Sequence, residues 1–339
     1  MGDAFPHGIP FAQIPSASKR LRVLLFAKRK RHTRVTRHLL RGFGQNGHTA
    51  GWLHSTNFKH FVGRTLAARM MDACTRMFRP DIVIVYGKDV PLDVLQSLPS
   101  SVPSGLFYHD FWEEPDQGVV EVGQHSTVVF TPLRGYVTTL KGFGLENVMY
   151  VKDGCDRTEH YPVKPVQEFA APVSFIGSLQ EGDCHRRDLM RAVAQSHSLH
   201  LYGRGWLSNA GLEPVRRHVY PDEYRKVCAS SAIMLGNDHG LGVDLGFSNR
   251  TWMTLGCGGF LLTSYVPNLE EIFTNHEHLV WYRSPEECLE LIEYYLPRRA
   301  DRRRIARTGC GYVRNYYTYR HTAARMVREL MKAQVCGTS

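Results

Sequence analysis

Short apolar runs alternate with helical patterns along this chain from Arg22 to Lys332, and the alternation is interrupted once, between Lys152 and Pro172. Few folds accommodate such repetition. Parallel strands need long crossovers, the crossovers are usually helices, and the helices then cover both faces of a sheet. In the first series the apolar runs are Arg22–Ala27 (RVLLFA), Ala50–Leu53, Asp81–Val85 (DIVIV), Leu92–Leu98, Gly105–Tyr108, Thr127–Phe130 and Val148–Val151. Helices are expected there over Arg34–Gln45, Arg64–Phe78 and Leu133–Phe143. The second series has strands at Val173–Ile176, Leu199–Tyr202, Ala232–Leu235, Phe260–Leu262 and His278–Trp281. Its helices are expected over Arg186–Ser196, Asp222–Ala229, from Ser248 onward, and over Pro285–Leu296, Arg302–Tyr316 and Tyr319–Lys332. The chain therefore reads as α/β, two doubly wound Rossmann-like halves. The expected organisation is a flexible leader (1–18), an N-terminal Rossmann-like domain (19–152), a linker (153–172) and a C-terminal Rossmann-like domain (173–317). A last helix within 318–339 is expected to pack back toward the N-terminal domain.

Several classes are disfavoured. The G-x-G-x-x-G dinucleotide fingerprint does not follow the first strand, which weighs against an oxidoreductase. No apolar run approaches the roughly 20 residues that span a bilayer, and Met1–Ser18 lacks the apolar centre of a signal peptide. A cytosolic protein is the expectation. The eight cysteines lack C-x-x-C spacing, so they read as reduced core residues rather than zinc ligands or disulfides. Neither a D-x-D pair nor a His/Cys cluster suggests a metal, and none is expected.

Net charge is +10, and Lys19 through Arg41 holds ten Lys or Arg residues without one acid. Lys28, Arg29, Lys30 and Arg31 fall in the loop after the first strand, and Arg34, Arg37, His38 and Arg41 recur at helical spacing. Such a block suits phosphates of a nucleic acid, an anionic membrane surface or a nucleotide substrate, and equally a solvated helix face. Aromatics are not interleaved with it, so a nucleic acid would be held by its backbone.

The segment Ser248–Thr263 (SNRTWMTLGCGGFLLT) reads as a short helix, a Gly-rich turn and an apolar strand. Ser248, Asn249 and Arg250 sit where free backbone N–H groups and a cation meet, which suits a diphosphate; an ordinary helix-to-strand connection has the same pattern. Together with Tyr108-His109-Asp110, Val151–Pro162 (VKDGCDRTEHYP), Phe175–Ser178 (FIGS) and Leu201–Trp206 (LYGRGW), in that order and spacing, this block resembles the GT-B glycosyltransferases, specifically the CgeB-like, glycosyltransferase group 1 family.

The resemblance implies two Rossmann-like domains facing across a cleft, with a nucleotide sugar, a UDP-sugar by expectation, held mainly by the second and the acceptor by the first. It implies transfer with retention, without a metal or tightly bound cofactor. Gly177 and Ser178 would form the turn near the phosphates, Arg186 or Arg187 would neutralise them, and Arg204 and Arg250 would add cations. His109 and Asp110 would be catalytic, one bonding the donor sugar, the other acting as base toward the acceptor hydroxyl or orienting it; the alternatives are a turn cap for Asp110 and a satisfied structural residue for His109. Lys28–Arg31 and Trp112 would meet the acceptor, for which a polyanion such as hydroxymethylated DNA is one version. One departure stands out: the family places a ribose-binding Glu where this chain has Met253. Asp244, Glu270 or Glu271 would then have to serve the ribose. Met253 also supports a second reading, a GT-B-like protein that binds nucleotide sugar or polyanion without catalysis.

Overall fold

A computed structural model describes residues 9–14, 19–27, 34–88, 90–110, 114–238 and 242–336. The chain divides into two compact units. One comprises Ile9–Gly154, Val243–Gly246 and Thr318–Ser339; the other comprises Cys155–Gly242 and Phe247–Tyr317.

The N-terminal unit holds strands β1 (Arg22–Ala27), β2 (Thr49–His54), β3 (Ile82–Tyr86), β4 (Ser104–Phe107), β5 (Val128–Thr131) and β6 (Val148–Tyr150). They form one sheet in the order β2-β1-β3-β4-β5-β6, with every pair parallel. Its helices are α1 (Arg34–Gln45), α2 (Ser55–Phe78), α3 (Leu92–Gln96), α4 (Gln117–Gln124) and α5 (Tyr136–Gly142). The apolar runs of β1 and β3 are covered on both faces, and the strand period of two sorts their side chains. Leu24, Phe26, Val83, Val85, Leu106 and Val129 face one core with Val94, Val122 and Leu140. Val23, Leu25, Ile82, Ile84, Phe107 and Phe130 face the other with Leu39 and Phe43 of α1.

In the C-terminal unit, β7 (Ala171–Ile176), β8 (Leu199–Tyr202), β9 (Ser231–Leu235), β10 (Leu261–Ser264) and β11 (Val280–Tyr282) form a second sheet, order β11-β10-β9-β7-β8, again all parallel. Its helices are α6 (Cys184–Ser196), α7 (Trp206–Ala210), α8 (Pro221–Ser230), α9 (Arg250–Gly256), α10 (Pro285–Tyr295) and α11 (Arg299–Tyr316). Val173, Phe175, Ile233, Leu235, Leu262 and Val280 pack with Leu189, Met190, Val193 and Ile292. The last helix, α12 (Tyr319–Cys336), belongs to the N-terminal unit, where Tyr319, Ala323, Met326 and Leu330 join the α1 face of the core.

Three sequence expectations need correction. The apolar segment Leu92–Leu98 contributes a short helix after Pro91. Helix α2 starts earlier than Arg64, but Gly63 (φ 77°) breaks it there, so the regular part begins where the pattern places it. His38 does not share a solvent face with Arg37 and Arg41: it is buried, its ring 5.0 Å from that of Tyr319, because its side of α1 packs on α12. None of the seven cysteines whose side chains are described is in a disulfide, and Cys155, Cys228, Cys257, Cys288 and Cys310 are buried.

Candidate functional site

In the C-terminal sheet the chain order reverses between β7 and β9, and the carboxyl ends of strands at such a point form a natural ligand crevice. The residues there are Ile176 at the end of β7, Gly177 and Ser178 after it, and Gly236, Asn237 and Asp238 after β9. Two arginines tie these ends together. Arg250, the first residue of α9, donates from Nη1 to the Ile176 carbonyl (3.0 Å) and from Nε to Ser248 Oγ (3.1 Å). Arg186 donates from Nη1 to the Ser178 carbonyl (3.1 Å) and from Nη2 to the Asn237 carbonyl (2.7 Å), with Asp183 Oδ2 at 3.3 Å.

The pair is not equivalent. Arg186 is 2% exposed, and its donors are spent on protein carbonyls, so it braces the crevice from below. Arg250 is 26% exposed, and its nearest carboxylate, Asp238, stands at 3.8 Å, a loose pair. Both guanidinium groups lie beside the Phe175 ring, at 5.6 and 5.5 Å from its centroid. Burial pushes Arg186 down to about 10, and the Arg250 charge adds to the effect. Two partly desolvated cations side by side repel, and an anion at their open side offsets that repulsion.

Glycine at 177 leaves the room Arg250 occupies: a Cβ there would overlap Nη1 and come within 2.8 Å of Phe175 Cε1. The loop after β8 closes on the same turn. Gly177 donates its N–H to the Tyr202 carbonyl (2.8 Å), Trp206 Nε1 donates to the Gly177 carbonyl (2.8 Å), and the Arg204 N–H donates to Ser178 Oγ (3.2 Å). Trp206 is thereby a core residue. Beneath Arg250 the space is small, about 20 Å³ lined by Tyr224, Thr254 and Thr263, which is room for one water. Any larger ligand meets Arg250 from the solvent side.

The structure thus brings Gly177, Ser178, Arg186, Ser248 and Arg250 together, with Asn249 as the residue preceding α9. Helix α9 begins at Arg250 rather than Ser248, whose N–H instead donates to Asp238 Oδ1 (3.1 Å). Arg187 lies apart, paired with Asp188 on the outer side of α6. The Arg204 guanidinium is exposed against His218, with 2.8 Å between Nη2 and Nε2. Asp244 belongs to the N-terminal unit and is held by both Nε and Nη2 of Arg134 (2.6 and 2.8 Å). Met253 is buried. Glu270, exposed after β10, accepts from the Tyr265 hydroxyl (2.9 Å).

In the N-terminal unit the chain leaves β4 through Tyr108, His109 and Asp110. His109 is 12% exposed and its Nε2 lies 2.8 Å from Oδ1 of the 4% exposed Asp153, which follows β6. Asp153 Oδ1 also accepts from the Tyr319 hydroxyl (3.4 Å). The imidazole is packed between Phe107 and Tyr86, at 4.0 and 5.2 Å. Its Nδ1 is buried with no protein partner among the described residues. Asp110 is exposed. Burial, then Asp153 and then Asp110 push the Tyr86 hydroxyl far above its ordinary range, so it stays protonated. Asp153 carries no site signal of its own in the sequence beyond its place in the VKDGCD segment. Lys28, Arg29, Lys30, Arg31 and Trp112 lie outside the described residues.

Residues 185–328 match a family model described as glycosyl transferase-like. No curated protein sequence matches the chain. Among solved structures, an alpha-glucosyltransferase in complex with UDP-glucose and DNA containing an abasic site superposes with a TM-score of 0.67 at 11% identity, covering 92% of this chain and all (100%) of that one. Sucrose-phosphate synthase from Thermosynechococcus elongatus gives 0.65 at 12% identity, covering 94% and 100%. Anabaena HepE in complex with UDP and glucose gives 0.62 at 10%, covering 92% and 100%. Likeness at such identity establishes the fold. No helix among the described residues is long and apolar enough to cross a membrane.

Proposed function

We propose that this chain, a glycosyltransferase of the GT-B fold, moves a sugar from a UDP-sugar to an acceptor hydroxyl in the cytosol, with retention and without a bound metal. The observation that carries the donor side is Arg250, oriented by the Ile176 carbonyl and Ser248 yet open to solvent opposite a side-chain-free Gly177. As the bond between the anomeric carbon and the β-phosphate oxygen breaks, the electron pair leaves on UDP. The Arg250 charge then meets negative charge that grows in the transition state, the most productive place for a fixed cation. Arg186 acts as a positioning residue that keeps the ends of β7 and β9 in register. The acceptor oxygen forms the new bond, and its proton passes to Asp110 or to the departing diphosphate. His109, its ring fixed by Asp153, bonds the donor sugar.

For the ribose, Asp244 is engaged by Arg134, and Glu270 or Glu271 after β10 takes the role that Met253 cannot. The acceptor is proposed to be polyanionic, bound through the Lys28–Arg31 segment and Trp112. Support comes from the net charge of +10 and from the alpha-glucosyltransferase solved with UDP-glucose and DNA. Hydrolysis and transfer assays with a panel of nucleotide sugars test this reading. Turnover of one UDP-sugar, unaffected by EDTA, is expected. Binding of a UDP-sugar with no turnover on any acceptor would favour the non-catalytic alternative that Met253 motivates.

A further inference from the structure

Away from the β7/β9 crevice, the C-terminal unit carries a groove of about 720 Å³ whose lining includes Arg157, Arg303, Arg307 and Arg314 and no acidic residue. Helix α11 supplies three of these arginines. Positions 303, 307, 310, 311 and 314 all line the groove, and at about 100° per residue they fall on one stripe of the helix. The opposite wall is Pro162 and Gly258.

The arginines of α11 divide into two sets. Arg302 donates to the Tyr295 and Leu296 carbonyls and Arg304 to the His276 carbonyl (3.3 Å), so these hold α11 to its neighbours. Arg314 likewise donates to the His160 carbonyl. Arg303 and Arg307 are exposed, and no carboxylate among the described residues pairs with either. They stand one helical turn apart, about 6 Å along the axis, with Arg314 about 10 Å further on. Arg303 and Arg307, like charges one turn apart in a groove whose lining holds no acidic residue, cost stability unless an anion neutralises them. The groove is open and elongated along α11, which suits a chain of phosphates better than one ion. It has no aromatic lining, so nothing in it reads a base.

We propose that this groove binds the phosphodiester backbone of a nucleic acid, independently of sequence, as a second contact surface separate from the donor crevice. The ligand class rests on the polyanionic-acceptor reading above; the site does not. Guanidinium forks match phosphate oxygens, and each phosphate neutralised adds roughly 0.9 to the salt slope of duplex binding.

The test is fluorescence anisotropy of the full-length chain with a labelled 20-base-pair DNA duplex between 50 and 200 mM salt. An Arg303→Ala/Arg307→Ala variant should bind at least tenfold more weakly, with a log–log salt slope shallower by roughly 2. Its UDP affinity by calorimetry should match wild type, which also certifies the fold. An unchanged slope and affinity overturns the proposal. So does binding of polyglutamate with the same affinity and the same dependence on Arg303 and Arg307, since that would be charge without phosphate recognition. A Lys28/Arg29/Lys30/Arg31→Ala variant separates the two readings. If only that variant loses duplex binding, the groove proposal falls and the acceptor reading stands; if only the α11 variant does, the reverse holds.

Discussion

Alanine at position 177 separates a phosphate-binding Arg250 from a merely structural one. The added Cβ overlaps Arg250 Nη1 and approaches Phe175 Cε1 to 2.8 Å. Gly177 is not among the positive-φ glycines, so alanine meets no backbone penalty and the effect is steric. Because Nη1 is the end of a flexible side chain, Arg250 yields and leaves the Ile176 carbonyl. Losing that bond costs about 1 kcal/mol of stability. Losing a charge-assisted phosphate contact costs roughly 1.5–3 kcal/mol of binding, which is roughly 10- to 150-fold in affinity. Calorimetric titration of UDP into wild type and Gly177→Ala reads the second quantity, and a thermal melt reads the first. The expected result is a large loss of UDP affinity with a melting temperature lowered by about 2–4 °C. UDP affinity within twofold of wild type would mean that Arg250 makes no contact with the diphosphate.

Arg186→Ala should be more damaging to the fold than to any one contact, because it strips the Ser178 and Asn237 carbonyls of their buried donor; a loss of about 3–5 kcal/mol in a urea melt is expected, and a loss under 1 kcal/mol would contradict its bracing role. Asp153→Asn should lower kcat while leaving UDP affinity unchanged, since it disturbs His109 in the N-terminal unit only; equal loss in both would assign Asp153 a general structural role. Burial pushes the Cys288 thiol up to about 12 and the Cys310 thiol up to about 11 from an ordinary 9.0. A raised folded pKa gives stability that is fully present below pH 9 and lost as pH rises through the folded value, at up to about 1.4 kcal/mol per unit for each thiol. Stability should therefore decline from pH 9 toward 12, and Cys288→Ala should flatten that decline; an identical slope in the variant would contradict the assignment.

Much of the fold was legible because parallel strands covered on both faces leave continuous apolar runs. RVLLFA forms β1 as expected, and the expected run DIVIV forms β3 one residue further on, as IVIVY. Helix α4 was missed because QGVVEVGQ is short and carries two glycines, so its stripe barely shows. Helix α9 begins two residues later than the pattern places it, since the Ser248 hydroxyl, which has cap chemistry, accepts from Arg250 Nε while its backbone N–H donates to Asp238. At the site the sequence offered Arg186 or Arg187 without choosing. The signal was present: Arg186 lies three, four and seven residues before Leu189, Met190 and Val193, the buried stripe of α6, whereas Arg187 falls off it. Two pairings had no such signal. His109 with Asp153 and Arg134 with Asp244 join residues 44 and 110 positions apart, set by topology rather than local pattern. The buried fate of His38 likewise depends on α12, nearly the whole chain away.

On the proposed function, the carboxyl ends of β7 and β9 hold a nucleotide diphosphate through Arg250. Calorimetric titration of UDP-glucose into the full-length chain and into Arg250→Ala tests it most directly, with glucose release followed in the same samples. Saturable binding and turnover by the wild type are expected, and in Arg250→Ala an affinity weakened by roughly 10- to 150-fold, the worth of one charge-assisted phosphate bond. Unchanged UDP-glucose affinity in a folded Arg250→Ala variant would contradict it.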